Sequence, residues 1–172
     1  MVKYAYLYKE ELIRLYSKYI ADEKYNWYAA YSYMDFQLEV HQTEWSMYQR
    51  VSVNKKRKVI GYLAAEINRA TRVVDSIRIM NFTKSNKYTF GRDIINFFKI
   101  LLRDKCAVIT YSTVVGNPIE ETYDRITERF GGRIVGTFLR HTVLRDQKYY
   151  DRKYYQILPD NKILKKLKLE NI

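Results

Sequence analysis

The sequence is short of the residues that staple or punctuate a chain. Of 172 residues, one is cysteine, two are proline and six are glycine. A lone thiol, Cys106, excludes an internal disulfide framework and a cysteine-rich zinc site. With so few prolines and glycines there is no linker-like stretch, and no internal repeat is visible. No apolar run is long enough to span a bilayer. The opening residues, Met1-Val2-Lys3-Tyr4-Ala5-Tyr6, lack the apolar core of a signal peptide. These absences lead to the expectation of a soluble, cytoplasmic protein with no membrane partner.

What is present is apolar and aromatic. Hydrophobic residues make up 47% of the chain and aromatics 16%, with 18 tyrosines, which excludes a wholly disordered polymer despite 29% charged residues. The length suits one domain, expected over residues 1–160, with 161–172 as a basic C-terminal tail. The net charge is +12. Residues 1–50 hold six bases and seven acids, a net of −1, so the remainder carries +13. Such a surface attracts nucleic acid, anionic lipid or a phosphorylated cofactor. It also suits a solvated face, since Lys55-Lys56-Arg57-Lys58 reads as a turn between strands.

Periodicity divides the chain. A short strand opens it. Lys9 to Ile20 places Leu12, Ile13, Leu15, Tyr16, Tyr19 and Ile20 at helical spacing, with acids in the first turn. Residues 22–34 read as a second, aromatic-rich helix or an irregular segment. Met47–Val53 and Lys58–Arg69 read as strands around the basic turn Asn54–Arg57, and Val73–Phe82 as a third. In that third strand Val73, Ile77 and Ile79 share one side, while Val74 and Met80 blur the alternation. A broad apolar helix is expected from about Thr89 to Asp104, then a buried strand over Ala107–Val115. Gly116-Asn117-Pro118 breaks that strand, and Pro118 is placed in the first turn of a helix that stops at Gly131-Gly132. Arg133–Arg145 and Tyr149–Leu158 finish as strands joined by Asp146-Gln147-Lys148. The fold class is α/β, a mixed α+β sheet in the order β-α-α-β-β-β-α-β-α-β-β.

This order, with particular residues, resembles the GNAT superfamily of acyl-coenzyme A N-acyltransferases over roughly Val2 to Leu158. Val59-Ile60-Gly61-Tyr62-Leu63 looks like the family's Gly-containing third strand. Gly131-Gly132-Arg133-Ile134-Val135-Gly136 looks like the segment after its last helix. Within the superfamily the chain is similar to small acetyltransferase-like proteins encoded by phages of low-GC bacteria. The family's cofactor loop is Gln/Arg-x-x-Gly-x-Gly/Ala, entering a helix whose N-terminal N–H groups and dipole meet a diphosphate. The matching stretch is Asn86-Lys87-Tyr88-Thr89-Phe90-Gly91. Gly91 fits the last position, whereas Asn86 and Thr89 depart from the pattern, and Thr89 reads equally as a helix N-cap. Lys84, Lys87 and Arg92 add cationic character suited to the phosphates of acetyl-coenzyme A.

The resemblance also implies roles for other residues. Ile79, Met80, Asn81 and Phe82 would bind the pantetheine arm through main-chain groups, like an added strand. Asn117 matches an Asn that bonds the same arm; it is also a natural turn residue before Pro118. The family's acid, a Tyr four residues before the glycine that ends the last helix, is replaced by Thr127, and Tyr123 lies one turn earlier on the same face. Tyr123 reads either as that acid or as packing. The base would be Asp75 or Glu66, each also a natural ion-pair partner for Arg69, Arg72 or Arg78. The reaction implied is direct acetyl transfer from acetyl-coenzyme A to a primary amine, on a small molecule or a protein lysine. Trp27, Tyr28 and Tyr31, in a segment also holding Tyr25, Tyr33, Asp35 and Glu39, would receive that amine or form an aromatic core. Cys106 has no evident His partner, and His41 and His141 are isolated, so neither covalent catalysis nor a metal is expected. The alternative is a non-catalytic protein on the same fold that binds nucleic acid through a basic face. A monomer or a homodimer is expected.

Overall fold

A computed structural model of the chain describes residues 1–22, 27, 38–83, 85–104, 106–159 and 165. Strand β1 (Val2–Tyr4) leads through a 3-10 turn (Ala5–Tyr8) into α1 (Lys9–Ala21). There follow β2 (Met47–Val53), β3 (Val59–Asn68), β4 (Val73–Asn81), α2 (Lys87–Arg103), β5 (Val108–Val114), α3 (Glu120–Arg129), β6 (Arg133–Val143) and β7 (Tyr149–Ile157). The strands form one sheet in the order β1-β2-β3-β4-β5-β7-β6. Every neighbouring pair is antiparallel except β4 and β5, which are parallel. The mixed α/β sheet therefore agrees with the expected fold class. The second helix expected over 22–34 falls outside the described residues, apart from Asp22 at the end of α1 and Trp27 in a turn. So do Tyr25, Tyr28, Tyr31, Tyr33, Asp35, Lys84 and the tail over 161–172, Lys165 excepted. No helix among the described residues is long and apolar enough to cross a membrane.

The strand period of two sends alternate side chains to opposite faces. On one face Leu63, Ala65 and Ile67 of β3 pack with Phe97, Phe98 and Leu101 of α2, Ile109 and Phe130. On the other, Tyr62, Ala64 and Val51 pack with Leu12, Tyr16 and Ile20 of α1. Phe97, Phe98 and Leu12 are fully enclosed, each such side chain contributing about 1.5–3 kcal/mol by leaving water.

Strand β4 breaks this rule, and the break shapes the site. Val74, Ile77 and Ile79 all pack on the α2 face, although the first two are an odd number of positions apart. Met80 packs on the α1 face. The cause is a β-bulge: Asp75 pairs with Glu66 and Arg78 with Ala64, so Ser76 and Ile77 together oppose Ala65. Ser76 holds φ at 50°, left-handed backbone at a non-glycine position.

Helix ends explain two further departures. Helix α2 begins at Lys87 with Asn86 as its cap residue, and Phe90 N–H donates to the Asn86 carbonyl at 2.9 Å. Thr89 therefore lies inside the first turn and is not the N-cap. Pro118 precedes α3 instead of opening it. Asn117 Oδ1 accepts the Ile119 N–H at 3.1 Å and its carbonyl accepts that of Glu120 at 2.8 Å, a side-chain turn that delays the helix. The stop at Gly131-Gly132 is as expected. Gly132 N–H reaches the Thr127 carbonyl at 2.8 Å and Gly131 N–H that of Glu128 at 3.0 Å, with Gly131 at φ 70°.

Candidate functional site

Strands β4 and β5 pair at only two positions, Val73 with Val108 and Val74 with Ile109. Thr110 Oγ1 adds a bond to the Val74 carbonyl at 3.2 Å. Beyond this point each strand stays with its outer neighbour. β4 follows β3 as far as Asn81, and β5 follows β7 as far as Val114. The bulge at Ser76 lies immediately after the last shared pair, so the sheet opens as a V toward the C-terminal ends of both strands. A cavity of about 820 Å³ occupies the opening. On the α2 and α3 side it is lined by Lys87, Phe90, Gly91, Ile94, Tyr123 and Ile126. On the α1 side it is lined by Glu66, Arg78, Ser112, Thr142, Arg152 and Trp27.

The start of α2 stands at the mouth of this V. Ser85, Lys87 and Tyr88 are exposed, so no described segment covers the first turn. The leading N–H groups of a helix have no intrahelical acceptor and carry the positive end of its dipole. A Cβ placed on Gly91 would meet no atom within 4 Å. A diphosphate could thus approach the backbone with Lys87 beside it, and the residues fit that group. The other loop residues divide. Phe90 is buried and lines the cavity, whereas Tyr88 is 85% exposed and does not. Arg92 also points elsewhere, its guanidinium 3.6 Å from Asp93 Oδ1.

Ladder geometry decides which part of β4 can meet a pantetheine arm. Phe82 N–H donates to the Ile60 carbonyl at 2.9 Å, and its own carbonyl accepts the Tyr19 hydroxyl. In an antiparallel ladder, hydrogen-bonded pairs alternate. The main chain of Met80 therefore also faces β3, while that of Ile79 and Asn81 faces the gap. The expectation for Met80 and Phe82 is corrected on this ground: their main chains are turned into the sheet and their side chains into the α1 core. Ile79 and Asn81 line the cavity. Asn117 lines it too, but Nδ2 donates to Thr113 Oγ1 at 3.3 Å and Oδ1 takes the Ile119 N–H. Its side chain holds the turn.

Tyr123 projects from α3 into the cavity lining and is 7% exposed. Burial, with Tyr111 at a centroid distance of 5.7 Å, pushes its phenol well above the ordinary tyrosine value, so it keeps its proton. Thr127, one turn on, is buried at 2% exposure. It exchanges a 2.6 Å hydrogen bond with the Tyr111 hydroxyl and donates to the Tyr123 carbonyl at 2.8 Å. It is absent from the cavity lining. Glu66 lines the cavity. Asp75 does not: it precedes the bulge, at the closed end of the V, and this corrects its expected place facing the gap. Among the described residues neither carboxylate is ion-paired, and Arg69 pairs instead with Asp104 at 2.5 Å.

Of the expected acceptor residues, only Trp27 is described. It lines the cavity, stands over Gly116 and meets Tyr150 edge-on at 6.4 Å. Sequence reasoning missed Ser112, Thr142 and Arg152, and treated Arg78 only as an ion-pair partner. The signal for Arg78 was its position between two apolar strand residues, Ile77 and Ile79, where a charge calls for a reason. Among the described residues no group of three or more His, Cys, Asp or Glu could hold a metal.

No protein-family signature matches the sequence, and no curated protein matches it. Solved structures do. A protein from Acinetobacter baylyi assigned as an acetyltransferase superposes with a TM-score of 0.68 at 13% identity, covering 93% of this chain and 92% of its own. A Chromobacterium violaceum protein assigned to the GNAT family gives 0.65 at 14% identity, covering 92% of this chain and 85% of its own. The spermidine/spermine N-acetyltransferase SpeG of Vibrio cholerae, in mutant form, gives 0.59 at 21% identity, covering 74% and 72%. The chain has the GNAT fold.

Proposed function

We propose that this GNAT-fold chain is an N-acetyltransferase that moves an acetyl group from acetyl-coenzyme A directly to a primary amine. The observation that carries the reading is the parting of β4 from β5 beside an uncovered helix start, with one cavity reaching both faces of the sheet. The diphosphate lies against the first turn of α2, with Lys87 and the bare backbone at Gly91. The pantetheine arm runs along the gap-facing edge of β4 at Asn81. The thioester then sits in the V, and the amine enters from the α1 side.

Holding both reactants in one cleft removes most of the entropic cost of their meeting. Glu66 takes the proton of the incoming ammonium, directly or through water. The neutral nitrogen attacks the thioester carbon and a C–N bond forms. A main-chain N–H on the gap edge of β4 steadies the charge on the carbonyl oxygen. The C–S bond breaks, and the departing sulfur receives a hydrogen bond and then the proton of Tyr123, whose main chain is tied through Thr127 to Tyr111. The second proton of the acylated nitrogen returns to the Tyr123 oxygen, directly or through water. The products are the N-acetyl amine and coenzyme A, so the step needs no oxidant or metal.

Thermal shift tests the reading. Acetyl-coenzyme A at a hundred times its Kd should stabilise the fold by about 2.7 kcal/mol, and thiol release should follow on adding an amine. No stabilisation at millimolar coenzyme would overturn it and leave a basic protein on the same fold.

A further inference from the structure

Some buried and partly buried cations have a carboxylate partner. Arg50 pairs with Glu44, Arg69 with Asp104, and Lys153 with Glu120 and Asp124. Among the described residues, two guanidinium groups in the cavity have none. Arg78 and Arg152 both line it and are both partly buried. Their contacts are neutral. Arg78 Nη1 donates to the Tyr16 hydroxyl at 3.4 Å. Arg152 Nε donates to Ser112 Oγ at 2.8 Å, with its guanidinium 6.0 Å from the Tyr154 ring. Hydroxyls and a ring orient a guanidinium but bring it no negative charge of their own. Withdrawing a cation from water without a counter-charge is costly, so such groups are complementary to an anion, and the planar fork of arginine suits a carboxylate or phosphate.

The two arginines lie on the same side of the sheet. Arg78 is in register with Ala64, which packs with the α1 cluster. Arg152 is in register with Val114 and bonds to Ser112, on the face of β5 opposite Tyr111. Glu66 belongs to that face as well, two residues from Ala64 along β3. The α1 side of the cavity therefore presents one carboxylate and two guanidinium groups. The opposite side has its own cation for the donor's phosphates, Lys87.

Resting on the transferase reading above, we infer that the acceptor is an amine carrying an oxyanion, a carboxylate or a phosphate. Its ammonium faces Glu66 and its anion is held between Arg78 and Arg152. A polyamine would bring only positive charge to a lining that is already net positive, so spermidine, named for SpeG, is a poor acceptor here.

The test uses the full chain with acetyl-coenzyme A and follows thiol release. Acceptors are amino acids including β-alanine, 2-aminoethyl phosphate, the amides and methyl esters of the same amino acids, and spermidine. Supporting results are at least a tenfold higher kcat/KM for the anionic amines, lost in folded Arg152→Gln or Arg78→Gln while stabilisation by acetyl-coenzyme A is unchanged. The carboxylate and phosphate arms tell which oxyanion is taken. Equal or better turnover of amides, esters or spermidine would overturn the inference and leave acetyl transfer standing. If acetyl-coenzyme A binds but no acceptor turns over, the complex is melted with each amine. A further rise with anionic amines alone, absent in Arg152→Gln, supports the inference, and no rise with any overturns it. If acetyl-coenzyme A itself neither binds nor reacts, the transferase reading fails and this inference with it.

Discussion

The ring of Phe90 fills the space that a side chain at Gly61 would need. A Cβ on Gly61 would stand 2.6 Å from Cδ2 of Phe90 and 2.8 Å from the carbonyl oxygen of Met80. Strand β3 and the first turn of α2 therefore interlock, and the helix start is held at the end of β4. The residue after Phe90 is Gly91, whose missing side chain faces open space. One glycine positions the cradle and the other leaves it bare.

These two glycines should respond oppositely. Gly61→Ala should cost about 1–3 kcal/mol by overpacking and weaken acetyl-coenzyme A binding as α2 shifts. Gly91→Ala should leave stability unchanged or raise it by up to ~1 kcal/mol, since alanine suits a helix interior better. Gly91→Phe should fold normally yet lose stabilisation by acetyl-coenzyme A. Melting curves with and without the coenzyme check all three, and undiminished binding by Gly91→Phe would reject this placement of the diphosphate.

Tyr123 and Thr127 should separate by readout. Tyr123→Phe should lower kcat about 10²-fold, the scale of a lost acid, with melting and coenzyme affinity near those of the parent. Thr127→Val should cost about 1–3 kcal/mol of stability, because the buried hydroxyl of Tyr111 loses its partner. Steady-state kinetics beside urea unfolding distinguish them. A kinetic defect in Thr127→Val without a stability loss would move the acid to the later turn.

Ser76 tests the bulge. Its φ of 50° strains an L-residue, so Ser76→Gly should gain about 1 kcal/mol. Ser76→Val, β-branched at the same φ, should lose stability and disturb the opening between β4 and β5. Denaturant midpoints give the order Gly above Ser above Val, and any other order counts against a left-handed residue there.

Alkali should destabilise the fold through its buried acids, Cys106 and Tyr62 among them. Burial pushes the Cys106 thiol from 9.0 up to about 11 and the Tyr62 phenol from 10.0 up to about 12. In both, the neutral form is favoured when folded, so their contribution is fully present below pH 9. Above it the unfolded chain ionises first, and that contribution is lost as pH climbs toward 11–12. Urea midpoints should be level near pH 8 and fall from pH 9 upward. At neutral pH, Cys106 should react with a disulfide reagent only on unfolding, and immediate labelling of the native protein would contradict its burial.

Much of the architecture was legible. The helical spacing of Leu12, Tyr16 and Ile20, the long apolar face from Ile94 to Leu102 and the Gly131-Gly132 stop each mark an element within a residue or two of its observed place. Even the bulge left a trace, because Val74 and Ile79 cannot share a face of a regular strand. The site was legible only in part. Glu66 and Asp75 are equivalent by sequence, both strand carboxylates among arginines, yet one lines the cavity and the other sits where the V is closed.

Local chemistry alone therefore determined the elements, their order and the glycine-bearing helix start, because periodicity, turn residues and caps act over a few neighbouring positions. The tertiary structure alone decided where β4 leaves β5, that the main chains of Met80 and Phe82 turn inward, and that Arg78 and Arg152 meet in one cavity. Those outcomes depend on the register of each strand with a partner remote in sequence, and on a one-residue bulge that reverses which side chains face the opening.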